Sequence, residues 1–131
     1  MIVREAIVID PPVVQVDARA AEAAELLTHP HVRSVLVVDG ERLVGCVTTA
    51  SVVAAVARGL DARSATAGDV CSGHLMTIGP DAALEDALRL MVHHGLERLP
   101  VTEDGRLLGV LPREPLVRRL AEDEAREPVD G

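Results

Sequence analysis

TIGPDAALEDALRLMVHHGLERLPVTEDGRLLGVL, residues 77–111, reads without a gap onto VQVDARAAEAAELLTHPHVRSVLVVDGERLVGCVTTASVV, residues 14–53. An offset of 64 places Asp17-Ala18 on Asp81-Ala82, Ala23 on Ala87, Leu26 on Leu90 and His29 on His93. The same offset brings Val37 onto Val101, Arg42-Leu43 onto Arg106-Leu107, Gly45 onto Gly109 and Val53 onto Val117. Conservative pairs lie between them, among them Val14/Ile78, Val35/Leu99 and Val44/Leu108. A register held this long does not arise by chance. The chain is a tandem duplication.

Each copy reads as strand, helix, hairpin, helix. In the second, Met76-Thr77-Ile78 starts extended, and Asp81 is expected to cap a helix. Leu84, Ala87, Leu88 and Met91 follow the spacing of one helical face, and Gly95 ends it. Arg98–Val101 and Arg106–Leu111 read as strands joined by the turn Glu103-Asp104-Gly105. A last helix is expected from about Arg113. The first copy repeats this with Val35–Asp39, a turn at Gly40, Leu43–Val47 and a helix from Ser51 to Arg58. The strands are apolar on both faces, as when a copy's own helices cover one side and the sister copy covers the other. The expected fold is α/β (α+β), two repeats packed about a pseudo-twofold axis. Repeat 1 is expected over residues 1–60, a linker over 61–67, repeat 2 over 68–121, and an acidic tail over 122–131 too polar to order itself.

Composition removes several functions. The chain has 131 residues, a formal charge of −8, and no Phe, Tyr or Trp, and its 13 basic residues are all Arg. That charge repels phosphate backbones, and no aromatic ring is present for base stacking, so nucleic acid is excluded as a partner. Apolar runs such as Val35–Val38 are far shorter than the roughly 18 residues of a membrane helix. Residues 1–5 show no basic region leading into an apolar stretch. Cys46 and Cys71 are therefore expected to be reduced thiols in a cytoplasm. No nucleophile elbow, phosphate-binding glycine loop or two-histidine metal helix is present, so no catalytic residue is assigned.

The two stretches resemble CBS domains, the module named after cystathionine β-synthase. The whole looks like a stand-alone tandem CBS pair, with the words around Arg98–Gly109 the most specific part. The resemblance implies a non-catalytic regulatory or sensor module, assembled as a homodimer. It also implies a cleft between repeats that takes an adenosine-containing ligand: AMP, ADP, ATP or S-adenosylmethionine. No cofactor is required for such a role. The regulated protein stays unnamed.

The family's binding signature is a glycine, two apolar residues, Thr or Ser, two open positions, and usually Asp. In the first copy it reads Gly45-Cys46-Val47-Thr48-Thr49-Ala50-Ser51, with Ser51 where Asp is usual. The resemblance puts Thr48 and the following helix at the phosphate and Ser51 at the ribose. Gly45, Val47, Val14, Ser34, Val35 and Arg33 stand around them, with Arg98 and Arg113 from the second copy. A helix N-terminus suits an anion because its first N–H groups are unpaired and its dipole end is positive. The second copy reads Gly109-Val110-Leu111-Pro112-Arg113-Glu114-Pro115, and its two prolines offer no side-chain hydrogen bond. Plainer roles stand beside these. Thr48 and Ser51 also fit simple helix capping, and prolines suit a first helical turn.

Two other readings are a ligand-free interaction module and a metal- or redox-linked stress protein. The second would draw on His29, His31, Cys71, His74, His93 and His94. Cys71 and His74 supply two ligands where a structural zinc wants four, so no metal is assigned. The apolar faces at Val52, Val53 and Val56, at Leu116, Val117 and Leu120, and along Ala20–Ala24 are expected to meet in the dimer.

Overall fold

Turn chemistry sets the two hairpins around which the chain is built. The computed structural model describes residues 1–7, 11–73, 75–114, 117–118 and 121–122. Expectations resting on His74, Pro115, Leu116, Leu120 and residues 123–131 lie outside the described residues. After a 3₁₀ turn at Val3–Ala6 come β1 (Val13–Gln15), α1 (Ala20–Leu26), β2 (Val35–Asp39), β3 (Arg42–Val47) and α2 (Thr49–Ala57). A short α3 (Ala67–Val70) follows, then α4 (Leu84–His93), β4 (Arg98–Glu103) and β5 (Arg106–Pro112). Helical residues resume at 113–114, 117–118 and 121–122. The mixed α/β fold is as the sequence implies, but the expected opening strand of the second copy, Met76-Thr77-Ile78, is reduced to an isolated bridge between Ile78 and Val101.

Asp104 and Gly105 join β4 to β5 with φ of 52° and 81°. Two consecutive positive φ values suit the twist of a tight hairpin. Gly40 opens the β2–β3 turn at φ 64°, and Gly59 and Gly95 follow α2 and α4 at φ 91° and 65°. These are positions where a Cβ would strain the backbone.

The start of α4 brings a further correction. Asp81 does not cap α4. The residue before that helix in cap position is Ala83, with no side-chain cap, and the Leu84 N–H donates instead to the Met1 carbonyl at 3.0 Å. The Asp81 carboxylate pairs with Arg4 at 3.4 Å. A main-chain acceptor from far along the chain has displaced the local side chain.

The contacts divide the chain into two compact units. The first holds Asp10–Met76 with Asp104–Leu107, and the second holds Met1–Ile9, Thr77–Glu103 and Leu108–Gly131. In the first, β1 runs parallel to β2, with Val14 beside Val37, and β2 runs antiparallel to β3, with Val35 beside Val47. Residues 104–107 close its edge: Arg42 pairs with Arg106, and the Arg106 guanidinium meets Glu41 at 2.8 Å. Its core is Ala20, Ala23, Val35, Val37, Val47, Ala55, Ala65, Ala67 and Val70. Lacking aromatic rings, it brings helices and sheet close through alanine. The second unit buries Val3, Ala6, Leu84, Ala87, Met91, Leu99, Val101 and Leu111. Each Val, Leu or Met fully buried this way contributes about 1.5–3 kcal/mol before entropy is counted.

Candidate functional site

The β3–α2 turn carries the strongest cluster of polar groups read from the sequence. Thr48 ends the extended chain at φ −127°, and α2 begins at the next residue. Its hydroxyl oxygen accepts the Ser51 N–H at 3.0 Å, and the Ser51 hydroxyl oxygen accepts the Thr48 N–H at 2.8 Å. The Ser51 hydroxyl then donates to the Thr48 carbonyl at 3.0 Å. This reciprocal box satisfies two of the orphan donors at the helix start. The box does not use the Thr48 hydroxyl proton, and Ser51 keeps one acceptor lone pair. The first-turn N–H groups of Thr49 and Ala50 have no helical acceptor by construction. No acidic residue occupies the first turn of α2, so nothing there cancels the positive end of the helix dipole.

Strand pairing brings other expected residues alongside. Val35 stands beside Val47, so Ser34 and Val35 at the start of β2 adjoin the end of β3 and Thr48. Val14, Val37 and Gly45 form one row across β1, β2 and β3. Val35 and Val47 have no exposed surface, so only their main chains are in reach of a ligand. Val14, Ser34, Thr48 and Ser51 are half-buried, and Arg33 is exposed. Arg98 and Arg113, both half-buried, belong to the second unit. The Arg113 N–H donates to the Glu97 carbonyl at 2.8 Å.

Gly45 has a packing reason that the sequence does not display. Beside it, Cys46 and Ser72 exchange hydrogen bonds at 3.0 and 2.8 Å. A Cβ on Gly45 would run into the Ser72 carbonyl oxygen and lie 3.1 Å from the Cys71 sulfur. Burial pushes both thiols up from the ordinary value, which favours the protonated form. Cys71 sits one residue from the partner of Cys46, so alternation turns their side chains to opposite faces.

The apolar faces expected along Ala20–Ala24 and at Val52 and Val56 come together. Between α1 and α2 lies a groove of about 340 Å³ lined by Ala20, Ala21, Ala24, Val52, Val56 and Leu60, among others. Val53 and Val56 are 62% and 54% exposed along α2, and Val117 is 46% exposed. Among the described residues, no three His, Cys, Asp or Glu side chains are placed to hold a metal ion, and no helix is long and apolar enough to cross a membrane.

The duplicated architecture agrees with a family profile. The CBS-domain profile matches residues 3–58 and 67–122. The chain belongs to the CBS-domain family. Among solved CBS pairs, CBSX2 in complex with AMP is 27% identical, with a TM-score of 0.76 over 94% of this chain and 98% of that one. Hypoxic Response Protein I with two coordinated zinc ions is 24% identical, with a TM-score of 0.75 over 92% and 98% of the two chains, and shows the fold. Meiotically up-regulated gene 70 protein of Schizosaccharomyces pombe is 32% identical over 137 residues, 91% of this chain. The CBS pair spans 19% of that protein's length.

Proposed function

We propose that this CBS pair is a non-catalytic sensor module that binds an adenosine-containing ligand at the β3–α2 turn of its first repeat. It acts as a cytoplasmic homodimer on a protein partner. One observation carries the reading: an α-helix starts directly after a buried strand, with Thr48 and Ser51 at its mouth and no acid in its first turn. Phosphate suits that helix start, and the ribose diol suits the hydrogen-bonding capacity left to Thr48 and Ser51. AMP in the related CBSX2 structure supports the ligand class. ADP, ATP and S-adenosylmethionine share the adenosine that would be read. In the second repeat Pro112 stands where Thr48 does, so one site per chain is expected. Within the same unit, Arg33 would offset part of the repulsion between the anion and a chain of charge −8.

The capping box favours a second reading, a ligand-free interaction module, because both hydroxyls already serve the helix. Calorimetry and thermal shift with AMP, ADP, ATP and S-adenosylmethionine separate the two. Binding at one site per chain, lost in Thr48→Ala/Ser51→Ala, supports the sensor. Affinity of about micromolar or weaker is expected with serine in place of aspartate. Absence of heat and of any melting shift with all four compounds leaves the interaction module.

A further inference from the structure

The leading segment of each repeat docks in the unit that holds the body of the other repeat, and it does so twice in the same register. In the second unit, the Leu84 N–H donates to the Met1 carbonyl at 3.0 Å, the Val3 N–H to Ala82 at 2.9 Å, and the Arg4 N–H to Pro80 at 2.8 Å. In the first unit, the Ala20 N–H donates to the Ala65 carbonyl at 2.9 Å, the Ala67 N–H to Ala18 at 2.7 Å, and the Gly68 N–H to Val16 at 3.0 Å. Every residue in one set maps to the other at the offset of 64 that relates the repeats. The bridges Ile2–Ala83 and Arg19–Thr66 obey it too. So do the turns that follow, where Glu5 accepts the Ile2 N–H and Asp69 accepts the Thr66 N–H.

Side chains repeat the pattern. Val3 and Ala6 are buried among Leu84, Met91, Leu99 and Leu111, although they open the first repeat. Ala67 and Val70 are buried among Ala23, Val35, Val37 and Val47, although they lead into the second. Neither α1 nor α4 has a side-chain cap, and in each case the first N–H takes a carbonyl from the visiting segment. Each helix start is therefore incomplete without a piece of the other repeat. The Arg4 pairs with Asp81 and Glu103, both 3.4 Å and exposed, orient the segment more than they hold it.

We propose that the second unit carries a peptide-binding groove, along Pro80–Leu84 and the adjoining core, that residues 1–7 fill in cis and that the same segment can fill when supplied in trans. The occupant is a short peptide that takes the 3₁₀ turn of Val3–Ala6, with a β-branched apolar residue at the Val3 position, a small one at Ala6 and a base at Arg4. A second copy's leading segment meets that description. The proposal does not depend on nucleotide binding at the β3–α2 turn.

The test uses the full chain with Val3→Asp, which puts a charge where no water reaches, and Val3→Ala as a milder variant. Hydrogen exchange at Leu84–Met91 is expected to speed up about tenfold or more, while Val35–Val38 keeps its protection. Adding a synthetic peptide of residues 1–7 should slow that exchange again and raise the melting temperature, whereas the Val3→Asp peptide should do neither. If Val3→Asp does not fold, the same peptide rescue is read on Val3→Ala. Unchanged exchange at Leu84–Met91 in a folded variant, equal loss at Val35–Val38, or no rescue by the peptide would overturn the groove.

Discussion

Ser51 stands where the family usually has aspartate, and this chain itself shows what the substitution leaves intact. At the start of α3, Thr66 and Asp69 form the same reciprocal box that Thr48 and Ser51 form at α2. Asp69, held below the usual carboxylate range by the Thr66 main-chain and hydroxyl bonds, is comfortable in the role. Ser51→Asp is therefore expected to keep α2 capped. It also adds a charged acceptor for a ribose diol, so AMP affinity should rise about tenfold in calorimetry while the melting temperature holds. Unchanged affinity would point to capping as Ser51's whole role. The thiols give a second prediction at this scale. The chain has no Lys and no Tyr, so between about pH 9 and 12 the side chains left to titrate are Cys46 and Cys71. Burial raises the folded Cys46 pKa above the ordinary 9.0, with the neighbouring Cys71 adding to it. A raised folded value contributes stability that is complete below the unfolded pKa and is lost as pH rises through the folded one. Denaturation midpoints should fall above about pH 9 and stay nearly flat in Cys46→Ala/Cys71→Ala. A slope surviving in the double variant would assign the loss elsewhere.

β3 shows how an element is held by a neighbour the sequence does not announce. Its Cys46 exchanges two main-chain hydrogen bonds with Ser72, and Gly45 makes room for that approach. Gly45→Ala cannot be absorbed by a flexible side chain, because the obstacle is the Ser72 carbonyl. Its cost is expected at about 1–3 kcal/mol, the range of overpacked cores, measured by urea denaturation. A neutral substitution would show that residues 71–73 can move aside. The order of the main helices, the two hairpin turns and the glycine stops were readable beforehand, since each depends on a few consecutive residues; the 3₁₀ turn at Val3–Ala6 and the short α3 were not. The helix face was readable too: Leu84, Ala87 and Met91 are the buried face of α4, with Leu88 half-buried beside them.

For the whole molecule, the apolar surface left on α2 and α1 is the feature that needs covering. Val53 and Val56 are exposed beside the apolar groove, and the alanines of α1 allow a close neighbour. A second copy with closed twofold symmetry would bury that face. Val56→Glu should convert a dimer of the 13.9 kDa chain to monomers in light scattering, and because Val56 is exposed, far-ultraviolet circular dichroism should not change. A wild-type monomer at micromolar concentration would remove the dimer itself. So would a Val56→Glu chain that stays associated relocate the interface away from α2.

The sequence by itself determined the duplication, the order of the main helices and the hairpin turns, because periodicity, turn residues and the offset of 64 are local or self-referential signals. The resemblance to the family singled out Thr48 and Ser51, and helix-cap preference supplied their capping alternative. Tertiary structure decided three other things. It gave the caps of α1 and α4 to the carbonyls of Ala65 and Met1 instead of a nearby acid. It gave Gly45 its reason in Ser72, and it opened the groove between α1 and α2. In the first two cases the partner is a main-chain group distant along the chain. Every residue carries the same N–H and C=O, so no residue type marks which one will arrive. The groove is a shape made by two helices at once, and neither helix alone encodes it.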